Sequence, residues 1–464
     1  MNKYKKLGKD FILLFIGNFS SKILVFLMVP FYTSCLSTEQ YGVADLITTT
    51  VTLLCPILTL TINEAVMRFS LDKEIEKEKV FSIGIYISGF SIILMIAIIP
   101  IIYLSQSLRN YTMLVLAYYI ANVLSVLLSQ FTKGIDKVKT YTISGIIQTV
   151  LNVCLNILFL LVFRWGIEGY LWANIIGLLA GMLFSCLNIK ANQYVISIKK
   201  SDRKLIRDML VYSLPLIPNN LAWWVTNSSD KYMVSFFLGT ATLGVYSVAY
   251  KIPSIMTTIT SLFSMAMRIS SVDGFGSKES TKFINNTYKV YTAFLAIVTS
   301  LIIAGSEFIG RILFQKEFFI AWKISPILLI GFMFFSLAEY LGVIYLAAKQ
   351  TKQILVTCLI GAGINIILNI LLIPLLGNYG AAIATSVSYF VIWLFRIIGC
   401  QRYVKIHINI TEYLINCILL IFTMMATLNK NALGICVGCI VTIALNFKPL
   451  ISIVKTRLNK RRTE

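Results

Sequence analysis

The stretch IGIYISGFSIILMIAIIPIIYL, residues 83–104, holds 22 residues without a single charge. About 20 apolar residues in helical form cross a hydrocarbon core of roughly 30 Å. A second stretch, 354–376, has the same character. Neither shows the strict alternation over about ten residues that a lipid-embedded barrel strand requires. In lipid every backbone polar group must be satisfied within its own segment or in a closed barrel, so runs of this kind read as transmembrane helices.

The rest of the chain agrees. Of 464 residues, 58% are hydrophobic and 13% charged, with a mean hydropathy of +0.82. A soluble domain carries about twice that share of charge. The pattern predicts an all-α polytopic membrane protein of about 14 spans: 11–35, 41–65, 80–104, 111–132, 141–163, 167–189, 213–237, 242–267, 287–309, 324–347, 353–376, 379–399, 413–428 and 432–453. The N-terminal apolar stretch is longer than the core of a cleaved signal, carries Lys22 and lacks a small-residue cleavage pattern, so it reads as the first span.

Charge fixes the expected orientation. The 41 Lys and Arg outnumber the 20 Asp and Glu. With the N-terminus inside, 32 basic residues fall on the cytoplasmic side and six outside, leaving Lys22, Lys231 and Lys251 within helices. That bias is the positive-inside pattern, so the net charge of +21 reads as topology rather than nucleic-acid binding, with both termini cytoplasmic. The loops are short, which leaves no large external domain of the kind a membrane glycosyltransferase or polymerase needs.

Two parts of the chain repeat. Leu36-Ser-Thr-Glu-Gln-Tyr-Gly-Val matches Leu238-Gly-Thr-Ala-Thr-Leu-Gly-Val, and Asn152-Val-Cys-Leu-Asn156-Ile-Leu matches Asn365-Ile-Ile-Leu-Asn369-Ile-Leu. Gly169-x-x-x-Ala173-Asn and Gly380-x-x-x-Ala384-Thr follow in each half. Six helices per half give a parallel repeat, as in some transporters. The expected organisation is a six-helix bundle over 1–205, a second over 206–405, and two appended helices with a basic tail over 406–464.

Charges at membrane depth cost about 2.5–3.5 kcal/mol on insertion scales, so they face a cavity or a partner. Lys22, with Asn18 beside it, lies in the first span. Asp230 and Lys231 lie in the seventh, and Lys251 lies in the eighth, with Tyr246 and Tyr250 before it. Glu339 lies in the tenth. A cationic cavity for an anionic ligand is one reading of the lysines, and local pairing with Asp230 is the other. For Glu339, a structural bond and a proton or cation site are equally open. The i, i+4 pairs Asn152/Asn156 and Asn365/Asn369 read as bonds between helices. Pro253, Pro215 and Pro218 should bend or loosen their helices. Nine cysteines and one histidine, His407, offer neither a disulfide framework nor a metal site, and Cys436-x-x-Cys439 sits in apolar sequence. No phosphate-binding loop is present, so no nucleotide or other cofactor is expected.

Several of these stretches resemble one family. Gly17-Asn-Phe-Ser-Ser-Lys22, Val29-Pro-Phe-Tyr, and Leu36-Ser-Thr-Glu-Gln-Tyr41-Gly42 look like the opening of bacterial polysaccharide flippases of the Wzx type. Leu214-Pro-Leu-Ile-Pro218, Asp230-Lys231 and Gly244-Val-Tyr246-Ser-Val-Ala-Tyr250-Lys251 are similar to that family's second bundle. Those flippases belong to the multidrug/oligosaccharidyl-lipid/polysaccharide (MOP) exporter superfamily. The resemblance implies two six-helix bundles around a cavity in a bacterial cytoplasmic membrane. It implies transfer of an undecaprenyl-diphosphate-linked oligosaccharide to the outer leaflet, for O-antigen, capsule or exopolysaccharide. Lys22, Lys231 and Lys251 become candidates to meet the diphosphate, with Asn18, Asp230, Tyr250 and Glu339 supporting. H+ or Na+ as coupling ion, or downhill transport, stays open, and polysaccharide polymerase and glycosyltransferases are implied partners. The rivals are a multidrug/cation antiporter of the same superfamily, a peptidoglycan-precursor flippase and a membrane glycosyltransferase.

Overall fold

A computed structural model of the protein describes residues 22–197, 202–272, 277–407 and 409–463. Among these residues every regular element is helical. The chain forms two compact units, Met1–Trp224 and Val225–Glu464.

The first unit begins with a short apolar helix over Lys22–Cys35, whose last part is α1 (Val29–Cys35). Then come α2 (Thr38–Leu58), α3 (Ile62–Ser70), α4 (Lys77–Tyr103), α5 (Thr112–Gly134), α6 (Val138–Ile157), α7 (Gly166–Ile189) and α8 (Arg203–Ser213). α9 (Leu216–Leu238) crosses the boundary between the units. The second unit continues with α10 (Thr240–Ala249), α11 (Ser254–Val272), α12 (Lys278–Ala304), α13 (Ser306–Leu313), α14 (Ser325–Ala347), α15 (Thr351–Leu376), α16 (Asn378–Cys400), α17 (Ile410–Leu428) and α18 (Ala432–Thr463).

Ten of the described helices are long and apolar enough to span a bilayer, and Lys22–Cys35 and Ala432–Phe447 are shorter apolar ones. The polar α9 and the broken pair α10–α11 supply the other two of the fourteen expected spans. The breaks have local causes. The expected second span is α2 followed by α3. Pro56 withholds one backbone donor near the end of α2, and Leu60 and Thr61 both take left-handed backbone (φ 53° and 54°). Left-handed backbone at a leucine and a β-branched threonine costs about 1–3 kcal/mol each, so the surrounding packing must hold it. The expected eighth span stops at Ala249 and resumes at Ser254, with Pro253 in the gap. Pro215 likewise separates α8 from α9.

The 36–43 and 238–245 repeats occupy the same structural place, each opening a helix. In the first, Ser37 and Gln40 form a reciprocal cap, Ser37 N–H donating to Gln40 Oε1 and Gln40 N–H to Ser37 Oγ, both at 3.1 Å. In the second, Gly239 holds φ 86°, a left-handed conformation that glycine adopts without strain.

The apolar core at one end of the first unit joins Ala65 and Val66 of α3, Phe81 of α4, Phe131 of α5 and Met209 of α8. In the second unit α17 and α18 pack on α12. Ser300 reaches Cys439 Sγ at 3.6 Å, Thr292 and Tyr413 hydroxyls meet at 3.2 Å, and the buried amides Asn416 and Asn446 bond to each other. Lys430, between α17 and α18, pairs with Glu307 of α13 at 3.3 Å. Cys439 of the Cys-x-x-Cys pair thus serves as a hydrogen-bond partner between helices.

Candidate functional site

The second unit gathers a polar ring around Asp230, which is 1% exposed. Asp230 lies on α9, and its Oδ1 accepts from the Lys231 N–H at 2.9 Å. Its Oδ2 accepts from Tyr246 OH at 2.7 Å, from Tyr250 OH, and from Thr385 Oγ1 at 3.1 Å. Tyr246 closes the last turns of α10, Tyr250 begins the break after it, and Thr385 comes from α16. The aromatic wall continues from Tyr250 to Phe332 and Tyr389, and Tyr389 OH donates to Asn227 Oδ1 at 2.9 Å.

Below Thr385 stands the repeated asparagine pair. Asn365 Nδ2 donates to Thr385 Oγ1 at 3.3 Å, and Asn369 Nδ2 donates to Asn365 Oδ1 at 2.9 Å. Ser229 of α9 donates to the same Asn365 oxygen at 3.2 Å. The first unit carries the counterpart. Asn152 Nδ2 donates to Asn174 Oδ1 at 3.0 Å, and Asn156 Nδ2 donates to Asn152 Oδ1 at 3.1 Å. Asn174 stands in α7 where Thr385 stands in α16, five residues past Gly169 and Gly380 respectively. Both asparagine pairs therefore join helices, as expected from their spacing. The side-chain oxygens of Asn156 and Asn369 are buried and accept no hydrogen bond among the described residues. A buried acceptor left unpaired costs about 1–3 kcal/mol. In the second unit that oxygen sits within two side chains of a buried carboxylate.

Small residues let the helices meet closely. A Cβ at Gly380 would strike the carbonyl of Leu372, so α15 and α16 touch through backbone. A Cβ at Gly177 would lie 3.0 Å from Gln148 O, the same device between α6 and α7.

The lysines fall in different places. Lys231 is half-buried on α9 and Lys251 is half-buried in the break before Pro253, both beside the Asp230 ring in sequence. Lys22 lies in the first unit, exposed on the Lys22–Cys35 helix. Asn18 lies outside the described residues. Asp230 and Tyr250 are brought into direct contact. Glu339 of α14 is not part of that ring. It pairs at 3.4 Å with Arg396 of α16.

The 32 inner basic residues include Arg396 at the end of the 379–399 span, yet it is 1% exposed inside the second unit. It donates to Ala338 O at 2.8 Å, Thr357 Oγ1 at 3.1 Å and Cys358 Sγ at 3.3 Å. Its removal leaves 31 basic residues in the inner segments against six outside, so the charge bias stands. Two features escaped the sequence reading: Arg396, and Tyr246 and Thr385 as partners of Asp230. The i, i+4 spacing of Tyr246 and Tyr250 was a signal for a shared helix face, but Thr385 lies 155 residues from Asp230.

Comparison with known proteins places this architecture. A family model described as polysaccharide biosynthesis protein matches residues 7–269. The chain belongs to this polysaccharide biosynthesis family. The MatE model also matches, over residues 215–371, which fits membership of the MOP superfamily. Among relatives of the family member described here, the probable low-salt glycan biosynthesis flippase Agl15 of Haloferax volcanii is 25% identical over 402 residues, 82% of this chain and 81% of Agl15. An uncharacterized membrane protein of Methanocaldococcus jannaschii is 31% identical over 205 residues. That match spans 42% of this chain and only 39% of that relative's length.

Solved structures share the family member's fold. The lipid II flippase MurJ in its inward closed conformation aligns with a TM-score of 0.69 at 17% identity, over 96% of this chain and 99% of MurJ. An inward-facing multidrug resistance MATE family transporter aligns with a TM-score of 0.66 at 14% identity, over 82% of this chain and 94% of that one.

Proposed function

We propose that this protein is a flippase that carries an undecaprenyl-diphosphate-linked oligosaccharide from the cytoplasmic to the outer leaflet for surface polysaccharide assembly. The observation that carries the reading is family membership together with a match to Agl15 along most of both chains. In this reading both termini are cytoplasmic and the host membrane is the bacterial cytoplasmic membrane. Lys22, Lys231 and Lys251 meet the diphosphate, and attraction between such charges strengthens where water is scarce. A transporter of this kind moves cargo without making or breaking its covalent bonds. Polysaccharide polymerase and glycosyltransferases act before and after it.

The Asp230 ring supplies the coupling ion site, for H+ or Na+. Each hydroxyl on Oδ2 can donate, as in the present arrangement, or rotate and offer a lone pair. The same ring therefore supports a bare carboxylate, or a carboxylate with a cation beside it. The unpaired Asn369 oxygen adds acceptor capacity nearby.

The test is direct. Full-length protein is placed in liposomes with a fluorescent undecaprenyl-diphosphate oligosaccharide, and the share reached by a membrane-impermeant quencher is followed over time. Faster equilibration than in empty liposomes is expected, with a rate dependent on a proton or sodium gradient, and that dependence is expected to be lost in Asp230→Asn. A rate equal to that of empty liposomes overturns the reading. A second reading, multidrug/cation antiport, draws on the MatE match and the buried carboxylate. Raised drug resistance in a pump-deficient host, without glycan flipping, would favour it.

A further inference from the structure

The first unit holds an ordered chain of polar side chains that the transport reading leaves unused. Glu64 of α3 accepts from Gln130 Nε2 of α5 at 3.1 Å. The other end of that amide, Gln130 Oε1, accepts from Lys133 Nζ at 3.3 Å. The same ammonium lies 4.3 Å from the ring centroid of Tyr141 on α6. Three helices thus hold one ammonium in place, and its two fixed partners are an amide oxygen and an aromatic face. Neither carries a charge. Among the described residues no carboxylate forms an ion pair with Lys133.

That arrangement differs from an ordinary surface lysine. A free lysine gives up about 2 kcal/mol of rotamer entropy when it is fixed. Here the amide and the ring hold it in one place, with its charge left open to an anion. Gln130 is itself oriented by Glu64, whose carboxylate accepts one amide hydrogen and leaves the carbonyl facing Lys133. Lys133 is half-buried, as are Gln130, Tyr141 and Glu64. Close packing fixes the level of the group. A Cβ on Gly134 would meet Ser70 Cβ at 2.6 Å and Met67 O at 2.9 Å, so α3 and α5 touch directly there. Arg68, one turn past Glu64, is exposed at the same level of α3. In the proposed orientation this is the cytoplasmic end of the first unit.

We infer that Lys133, aimed by Gln130 and Tyr141, binds the phosphate group of a membrane lipid at the inner end of the first unit. The inference deepens the flippase reading, since a diphosphate-linked cargo approaches from that side. A phospholipid headgroup offers the same phosphate chemistry, so the two sources must be separated. Lys133 donates one charge-assisted hydrogen bond to a phosphate oxygen, the strong class of such bonds.

The experiment uses purified full-length protein and three probes: undecaprenyl diphosphate, phosphatidylglycerol and neutral undecaprenol. Binding is read by native mass spectrometry or fluorescence titration. Lys133→Gln is expected to weaken an anionic probe about tenfold, the scale of one charge-assisted bond, and to leave undecaprenol unchanged. Gln130→Leu keeps the charge but removes the oxygen that aims it, and is expected to weaken the same probe severalfold. Lys133→Arg is the folding control and binds like the parent. A loss confined to undecaprenyl diphosphate assigns the site to the cargo, one confined to phosphatidylglycerol assigns it to the leaflet, and a loss on both assigns it to lipid phosphate in general. Unchanged binding of both anionic lipids by Lys133→Gln overturns the inference while leaving the flippase reading intact. If the parent protein binds no undecaprenyl diphosphate, the flippase reading fails, and the phosphatidylglycerol arm alone decides Lys133.

Discussion

Removing Glu339 should destabilise the second unit more than removing Arg396, although both break the same ion pair. Arg396 is 1% exposed, while the Glu339 side chain is 23% exposed. In Glu339→Leu the guanidinium stays buried, with only the Ala338 carbonyl, the Thr357 hydroxyl and the Cys358 sulfur as neutral partners. Stranding a buried charge costs about 3–5 kcal/mol, and the solvent that reaches Glu339 puts this case at about 3 kcal/mol. In Arg396→Met the apolar stem is kept and Glu339 can turn to its exposed side. Thr357 Oγ1 still donates to Gln353 O and Ile354 O, so little is left unsatisfied. The cost should be about 1 kcal/mol. The double variant Arg396→Met/Glu339→Leu strands nothing and should lie close to Arg396→Met alone. The assay is thermal unfolding of detergent-solubilised protein followed by tryptophan fluorescence. For a body of this size about 1 kcal/mol moves the midpoint roughly 2–4 °C, so Glu339→Leu should fall by about 6–12 °C and the double variant by far less. An Arg396→Met protein less stable than Glu339→Leu, or a double variant at the sum of the two, would refute the buried-charge argument. The outcome bears on transport, because Arg396 ties α14 and α15 to α16, and α15 and α16 carry Asn365, Asn369 and Thr385.

Three further outcomes are expected. Asp230→Asn should fold, because three hydroxyls can re-orient around an amide, but should lose gradient dependence in the liposome assay; normal coupling in that variant would remove Asp230 as the ion site. Lys22→Ala, expressed and inserted normally, should abolish surface polysaccharide export in a complementation assay, with Lys231→Ala and Lys251→Ala reducing it; full export by the Lys22 variant removes that residue from the mechanism. Gly380→Val should cost about 1–3 kcal/mol through forced separation of α15 and α16, read as a lowered unfolding midpoint, whereas Gly363→Ala, where a Cβ meets nothing within 4 Å and alanine favours the helix, should not lower it.

Much of the fold was legible in the sequence because its causes are local. A run such as 83–104 has one stable conformation in lipid, and neither its length nor its charge depends on any neighbour. The paired Asn152/Asn156 and Asn365/Asn369 could be read as bonds between helices because i, i+4 spacing sets a common face. The helix breaks were half legible. Pro253 marked one of them, but the left-handed Leu60 and Thr61 carry no mark in sequence, since leucine and threonine both favour other backbone.

The site itself was decided by tertiary structure. Sequence alone predicted that Asp230, Lys22, Lys231, Lys251 and Glu339 lie at membrane depth and need partners or a cavity. It left those partners open, because a buried charge takes whatever the adjacent helix offers. Packing answered separately for each acid: Asp230 received Tyr246, Tyr250 and Thr385, and Glu339 received an arginine that its position near a loop had made look exposed. Lys133 gives the same lesson from the basic side. By sequence it is one of 32 residues in a charge tally, and only the contact of α3, α5 and α6 aims its ammonium. Apolar length acts residue by residue along the chain, whereas a partner across 155 residues exists only once the helices have packed.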